Sequence, residues 1–267
     1  MLTQQYSRIF QALRRFVAEP LWAMLAPLHC GSCGRALNTH TPVSYQFSRI
    51  CQQCSDAFAP APPPEELLNR LVTGFPPDAI ALTKIVARYS VQQQPIYDAS
   101  TGTTLTANPQ SMVYAMKYYS SPSFARECGQ ELGILLHALG MVQYDAIVPV
   151  PLHRARERER GYNQSSMLAL GVSSVLSIPV YETYLRRTHY TVSQTLLSAS
   201  ERRTNVQNAF AAVPSSARSS VRSSVRCPAH VLLVDDVFTT GSTLNACASA
   251  LLESGVRRVD AATLCAA

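Results

Sequence analysis

Thirteen consecutive residues, Val231-Leu232-Leu233-Val234-Asp235-Asp236-Val237-Phe238-Thr239-Thr240-Gly241-Ser242-Thr243, constrain this chain more than any other segment. Val231 to Val234 is an uninterrupted apolar run, as a parallel strand needs when helices cover both of its faces. Two carboxylates, Asp235 and Asp236, follow at its C-terminal end, the edge where open α/β sheets bind their ligands. Thr243–Ser254 then reads as a helix stopped by Gly255 in the C′ position. Earlier, Asp145–Pro151 reads as a short buried strand running into a proline-fixed loop, and residues 162–177 as a helix. Val180–Leu185 reads as a second strand and Val256–Leu264 as the last. Strands alternating with helices predict an α/β domain with right-handed crossovers and a mainly parallel, Rossmann-like sheet.

The turn between that strand and helix is suited to an anion. The first N–H groups of a helix have no intrahelical acceptor, and the helix dipole is positive there. Thr239, Thr240, Ser242 and Thr243 add hydroxyl donors, and Gly241 lets the backbone approach closely. Carboxylates beside such a turn repel phosphate but accept hydrogen bonds from sugar hydroxyls. The segment therefore describes a ribose 5-phosphate held at both ends. A Gly-x-x-x-x-Gly-Lys-Ser/Thr loop, required by a nucleoside triphosphatase, is absent from the sequence. A metal held by the acid pair in a phosphoryl-acceptor domain is the competing reading, and it leaves four hydroxyl residues without a task.

Four of the eight cysteines form two matched pairs, Cys30-x-x-Cys33 and Cys51-x-x-Cys54. Two such knuckles, with Gly31 and Gly34 to make tight turns, predict one structural Zn²⁺ held by four thiolates. A redox dithiol is the alternative, and it calls for one Cys-x-x-Cys rather than two. Four sulfur ligands leave no open position, so this metal stiffens a small subdomain or presents a binding surface. Only Arg35 and Arg49 are cationic near the ligands, a thin footprint for nucleic acid. Cys128, Cys227, Cys247 and Cys265 stand alone, and the usage as a whole suits a reducing cytoplasm.

Composition divides the chain into three expected units. Residues 1–29 form an amphipathic helix, with Ile9, Phe10, Leu13, Phe16 and Val17 at helical spacing. It either packs on the body or lies on a membrane surface, and it does not read as a secretory signal. Residues 30–64 hold the zinc ribbon and the breaker Pro60-Ala61-Pro62-Pro63-Pro64, and residues 65–267 the α/β domain. No apolar run reaches the roughly 20 residues of a membrane-spanning helix, so no integral membrane segment is expected. Two polar stretches read as surface loops, 92–110 and 214–228; the second repeats Ser-Ser-Val-Arg at 219–222 and 223–226. That repeat is either a slipped duplication in a tolerant loop or a basic nucleic-acid-binding tail. The net charge of +6 rests on 21 Arg and only two Lys, Lys84 and Lys117. Arginine forks grip phosphate, although a coding bias toward Arg gives the same skew.

The thirteen-residue segment resembles the phosphoribosyl-pyrophosphate (PRPP) signature of type I phosphoribosyltransferases. The wider chain, roughly residues 28–265, resembles one branch of that superfamily, the ComF family of amidophosphoribosyltransferase-like proteins linked to competence. The stretches that carry this are the two Cys-x-x-Cys pairs, Met116-Lys117-Tyr118, Val148-Pro149-Val150-Pro151-Leu152, Arg160-Gly161-Tyr162-Asn163-Gln164, and Gln194 through Phe210. The resemblance implies that Asp235 and Asp236 engage the ribose hydroxyls and that Thr239, Thr240, Gly241, Ser242 and Thr243 hold the 5-phosphate. It implies a pyrophosphate loop at Pro149–Arg154, including Pro151, with Arg160 beside it. It also implies a flexible lid over 186–210 that brings Arg187 and Arg203 to the leaving pyrophosphate, with Mg²⁺ accompanying PRPP. His153 is either a ligand or base in this loop or neither. Arg154, Arg156, Arg158 and Arg160 share one face if the segment is a strand and spread if it is a helix.

The expected function is a ComF-type phosphoribosyltransferase that binds PRPP and transfers ribose 5-phosphate with release of pyrophosphate. The alternative is a non-catalytic PRPP-sensing or DNA-uptake accessory protein. The partners that follow are PRPP, an acceptor base or amine, single-stranded DNA or the DNA-uptake machinery under the alternative, and a second copy of the chain in a homodimer. No glutaminase segment is read, so self-contained glutamine-dependent amidation is not expected.

Overall fold

The computed structural model describes residues 29–38, 41–99, 101–118, 121–188, 209–213 and 227–267. The helix expected over 1–29 lies outside them except for His29, as do the 219–226 repeat and Arg203.

At the centre is a four-stranded parallel sheet. Its strands are β1 (Lys84–Ser90), β4 (Ala146–Pro149), β7 (His230–Phe238) and β8 (Arg258–Ala266), in the spatial order β1-β8-β7-β4. The run Val231–Val234 lies between β4 and β8 with every side chain buried, as a strand without a solvent face requires. Alternate residues point to opposite faces. Leu232 and Val234 enter one apolar cluster, Val231 and Leu233 the other.

Helices cover both clusters. On the first face lie α3 (Gln110–Tyr118), α4 (Pro122–Ala138) and α6 (Gln164–Leu176). On the second lie α2 (Pro64–Gly74) and α7 (Ser242–Glu253). Helices α4 and α6 cross almost backbone to backbone. A Cβ on Gly171 would stand 2.2 Å from Arg126 O, and one on Gly129 2.2 Å from Leu168 O. No larger residue fits either place without separating the helices. This crossing fixes where the N-terminus of α6 meets the end of β7.

Several boundaries differ from the sequence reading. The stretch 92–110 is largely an antiparallel hairpin, β2 (Gln94–Asp98) with β3 (Thr103–Ala107), rather than a loop. Its strands are short and mostly polar on the outer face, while Ile96 and Asp98 of β2 and Leu105 and Ala107 of β3 alternate inward. Val180 makes a single parallel bridge to Ile147, and the next strand is the three-residue β5 (Leu185–Arg187), paired with β6 (Phe210–Ala212). The helix bearing Lys117 follows β1 and the β2–β3 hairpin. The proline run joins the body: Pro60 bridges Tyr89 of β1, and Pro64 opens α2.

The cysteine segment, with its short helix α1 (Gln52–Ala57), packs on the same apolar cluster as α4. Phe47 sits edge-on to Phe124 at 6.2 Å between ring centroids. Beside it the four sulfurs of Cys30, Cys33, Cys51 and Cys54 lie within 4.8 Å of one another.

Candidate functional site

The site grows from the C-terminal end of β7. Asp236 is 5% exposed. Its Oδ2 accepts from Gln164 Nε2 at 2.7 Å and pairs with Lys117 Nζ at 3.0 Å. Asp235 Oδ1 accepts from Ser165 Oγ and from the backbone N–H of Asp236, both at 2.9 Å. Asp235 Oδ2 and Asp236 Oδ1 bond no described residue, so one acceptor oxygen on each acid is left for a ligand. Burial, and then the charge of Asp236, pushes the Asp235 carboxyl up to about 7.

Local sequence explains why α6 delivers these donors. Asn163 caps the helix, accepting from Ser165 N at 3.1 Å, while its Nδ2 donates to Val150 O at 3.0 Å. One side chain thus ties the helix start to the loop after β4. Val150 N in turn donates to Val234 O at 2.9 Å, which pins that loop to β7. The 154–160 arginines lie on a helix, α5 (Arg154–Arg160), so they spread around it. His153 caps α5 through Nδ1, which accepts from Ala155 N at 3.2 Å. Arg160 donates to Gln164 Oε1, and its guanidinium lies 5.9 Å from the Tyr118 ring centre. Arg160, Gln164, Asp236 and Lys117 therefore form one connected chain.

Beyond β7, Thr239 and Thr240 are exposed, and Gly241 caps α7 with φ +75°. A Cβ there would meet Leu71 Cδ1 at 2.7 Å and Phe238 Cε2 at 2.8 Å, so the turn needs glycine on both counts. Gly241 itself offers no capping side chain; Thr240 Oγ1 accepts from Ser242 N at 3.4 Å and pairs with Ser242 Oγ at 2.8 Å. The first-turn N–H groups beyond Ser242 have no side-chain cap and suit an anion.

Two clefts adjoin this edge. One of about 280 Å³ is walled by Lys117, Tyr118, His153, Arg160, Gln164 and Arg187. The other, about 630 Å³, runs between the loop after β4, including Pro151, and the β5–β6 pair. Arg187 lines both, packed 5.4 Å over Phe210, with its pKa drawn down by burial. Neither cleft is lined by Asp235, Asp236 or the 239–243 turn. The connection runs through Gln164 and Lys117, which wall the smaller cleft and bond Asp236. Asn163 and Gln164 entered the sequence reading only within the Arg160–Gln164 stretch, with no role of their own, and Ser165 not at all. An Asn just before a helical run was the available signal, since it is a favoured cap.

The cysteine cluster fits a tetrahedral metal. Zn–S bonds of about 2.3 Å place tetrahedral sulfurs roughly 3.8 Å apart, and Cys33 Sγ lies 3.9 Å from Cys51 Sγ. Crowding spreads the thiols' acidity: hydrogen bonds led by Cys30 hold Cys33 far below the ordinary thiol range, while those same neighbours push Cys54 far above it. A dication relieves that conflict by favouring all four thiolates together. Arg35 donates to Cys33 Sγ at 3.5 Å and to Cys51 Sγ at 3.7 Å, and pairs with Asp98 at 3.3 Å. It thereby ties the cluster to the β2–β3 hairpin.

The phosphoribosyl transferase domain family matches residues 164–267, from the start of α6 through β8. Among curated relatives, Competence protein F of Haemophilus influenzae is 41% identical over 115 residues, 43% of this chain and 47% of that protein. DNA utilization protein YhgH of Escherichia coli O157:H7 is 37% identical over 135 residues, 49% and 55% respectively. Competence protein ComFC of Bacillus subtilis is 32% identical over 109 residues, 41% and 39%. The chain spans about half the length of these relatives, or less. With the parallel sheet and the strand–turn–helix site described above, these matches give the chain a phosphoribosyltransferase-like domain over residues 164–267, similar to that part of the competence and DNA utilization proteins.

Proposed function

We propose that the edge of β7 binds PRPP and that the chain transfers its ribose 5-phosphate to a nitrogen acceptor. The observation that carries this reading is the pair of half-satisfied acids, Asp235 and Asp236, one short turn before the glycine-led N-terminus of α7. The remaining carboxylate oxygens accept from the ribose hydroxyls, and the 239–243 turn donates to the 5-phosphate. Mg²⁺ arrives with PRPP as part of the substrate, and carboxylate oxygens are the hard donors it prefers.

In the transfer, the C1–O bond breaks and its electron pair leaves on pyrophosphate. The acceptor nitrogen's lone pair forms the C1–N bond, and that nitrogen's proton passes to solvent. Negative charge grows on the leaving group, so cations belong around it. Arg160 and Arg187 wall the cleft next to the loop after β4, and they stabilise that charge in this reading. Arg203, which lies outside the described residues, is proposed to join them from the lid that the resemblance implies over 186–210.

The second reading, a protein that binds PRPP without turning it over in the service of DNA uptake, is favoured by the names of the relatives, Competence protein F and DNA utilization protein. Calorimetry with PRPP and Mg²⁺, followed by pyrophosphate release across a panel of bases and amines, separates the two. Binding with release for one acceptor supports transfer. Binding without release for any acceptor supports sensing, and absence of binding overturns both.

A further inference from the structure

A third hollow, about 470 Å³, shares Lys117 and Tyr118 with the smaller cleft. Its walls include Gly31, Asn108, Ser111, Tyr114, Lys117 and Tyr118. That volume is within the roughly 300–1,000 Å³ of small-molecule sites. Two of its walls are aromatic and face water: Tyr114 is 54% and Tyr118 59% exposed. They stand one helical turn apart on α3, with ring centres 4.5 Å apart and planes tilted by 38°. Leaving two tyrosine rings so open costs apolar burial that a core position would have recovered. Beside them lie short polar groups: Ser32 Oγ accepts from Asn108 N at 2.8 Å, and Asn108 Oδ1 from Gln110 N at 2.9 Å.

The place of the hollow is as telling as its lining. Lys117 and Tyr118 are walls common to both spaces, Lys117 reaches Asp236 at 3.0 Å, and Arg160 lies over the Tyr118 ring. A ligand stacked on the tyrosines is thus one side chain away from the acid pair proposed to hold the ribose. Flat π faces recognise flat heterocycles over their whole area, whereas a protonated amine, which such faces also attract, would be repelled by Lys117 in the same lining. We propose that Tyr114 and Tyr118 form the stacking platform of the acceptor, and that this acceptor is a free planar nitrogen heterocycle of the nucleobase class. The proposal rests on the PRPP reading above and names the acceptor side of that site.

The test uses the full chain and separates the two readings by titrating them apart. PRPP with Mg²⁺ is titrated first. Adenine and uracil, as purine and pyrimidine probes, are then titrated with PRPP present and with PRPP absent, and a short oligothymidylate is titrated as a third arm. Stacking predicts that Tyr114→Ala and Tyr118→Ala each weaken binding of one probe by about 5- to 100-fold. Tyr114→Phe and Tyr118→Phe should hold it within about threefold, and PRPP affinity in Tyr114→Ala should stay within about twofold. Circular dichroism confirms that each variant is folded. If PRPP binds while neither free base does, or the alanine variants bind the base as wild type does, the platform proposal fails and the PRPP reading stands. Tyrosine-dependent binding of the oligonucleotide but not the free bases also overturns it, in favour of a DNA contact. If PRPP does not bind, the function reading fails, and the PRPP-free base titration still judges the platform.

Discussion

The two ends of the central sheet carry buried acids on adjacent strands and use them in opposite ways. At the N-terminal end, Asp260 of β8 is 2% exposed and both of its oxygens are occupied. Tyr144 Oη donates to Oδ2 at 3.0 Å, His230 Nε2 lies 3.1 Å from it and Arg258 3.4 Å, while Thr83 Oγ1 donates to Oδ1. At the C-terminal end, Asp235 and Asp236 each keep one oxygen in reserve. A saturated carboxylate joins strands and loops and has nothing left to offer a ligand. A half-saturated one costs stability that only binding recovers. The thiol cluster belongs with the saturated set, since four sulfurs around one metal leave no open position.

The strongest way to break this contrast is to open a closed set. Chelation of zinc, or Cys54→Ser, should remove one metal per chain and lower the melting temperature by ten degrees or more, because Cys51, Cys54, Phe47 and Ile50 share a cluster with α4. Metal content with thermal unfolding checks it. Next in size, Asp260→Ala should cost about 3 kcal/mol in urea unfolding by stranding four donors, with PRPP affinity unaltered.

At the other end the signs reverse. Asp235→Asn should weaken PRPP binding about tenfold or more without destabilising the fold at pH 8. The folded carboxyl sits at about 7, above the roughly 3.9 of an unfolded Asp. Wild type therefore loses stability as pH rises from about 4 to about 7, and remains penalised above that. Asn carries no such penalty, so the variant should gain on wild type by on the order of 1–3 kcal/mol between pH 4 and pH 8. Equal pH profiles would show that Asp235 is not held in this raised state. The smallest effect belongs to Tyr144→Phe, which removes one of four donors to Asp260 and should cost about 1 kcal/mol.

The Asp235–Asp236 end was far more legible in sequence than the Asp260 end. Val231–Thr243 combines a two-sided apolar strand, paired acids and a hydroxyl-rich turn in thirteen adjacent residues, so local pattern alone carries it. Asp260 gives no such signal, because Tyr144 and Thr83 are brought to it by folding from more than a hundred positions away. The same distance hid Gln164, whose partner Asp236 lies 72 residues on. Lys117 was noted, yet its pairing with Asp236 depends on how α3 packs against β8, the neighbour of β7. The β2–β3 hairpin escaped notice because Thr103, Thr104 and Thr106 look like loop residues until Leu105 and Ala107 are seen to turn inward.

The most direct measurement is a crystal structure of the full chain with PRPP and Mg²⁺. The 5-phosphate should sit about 3 Å from backbone N–H groups of residues 239–243, with the ribose hydroxyls on Asp235 and Asp236. PRPP bound against Pro151 and Arg187 with no contact to that turn, or no PRPP at all, would contradict the account.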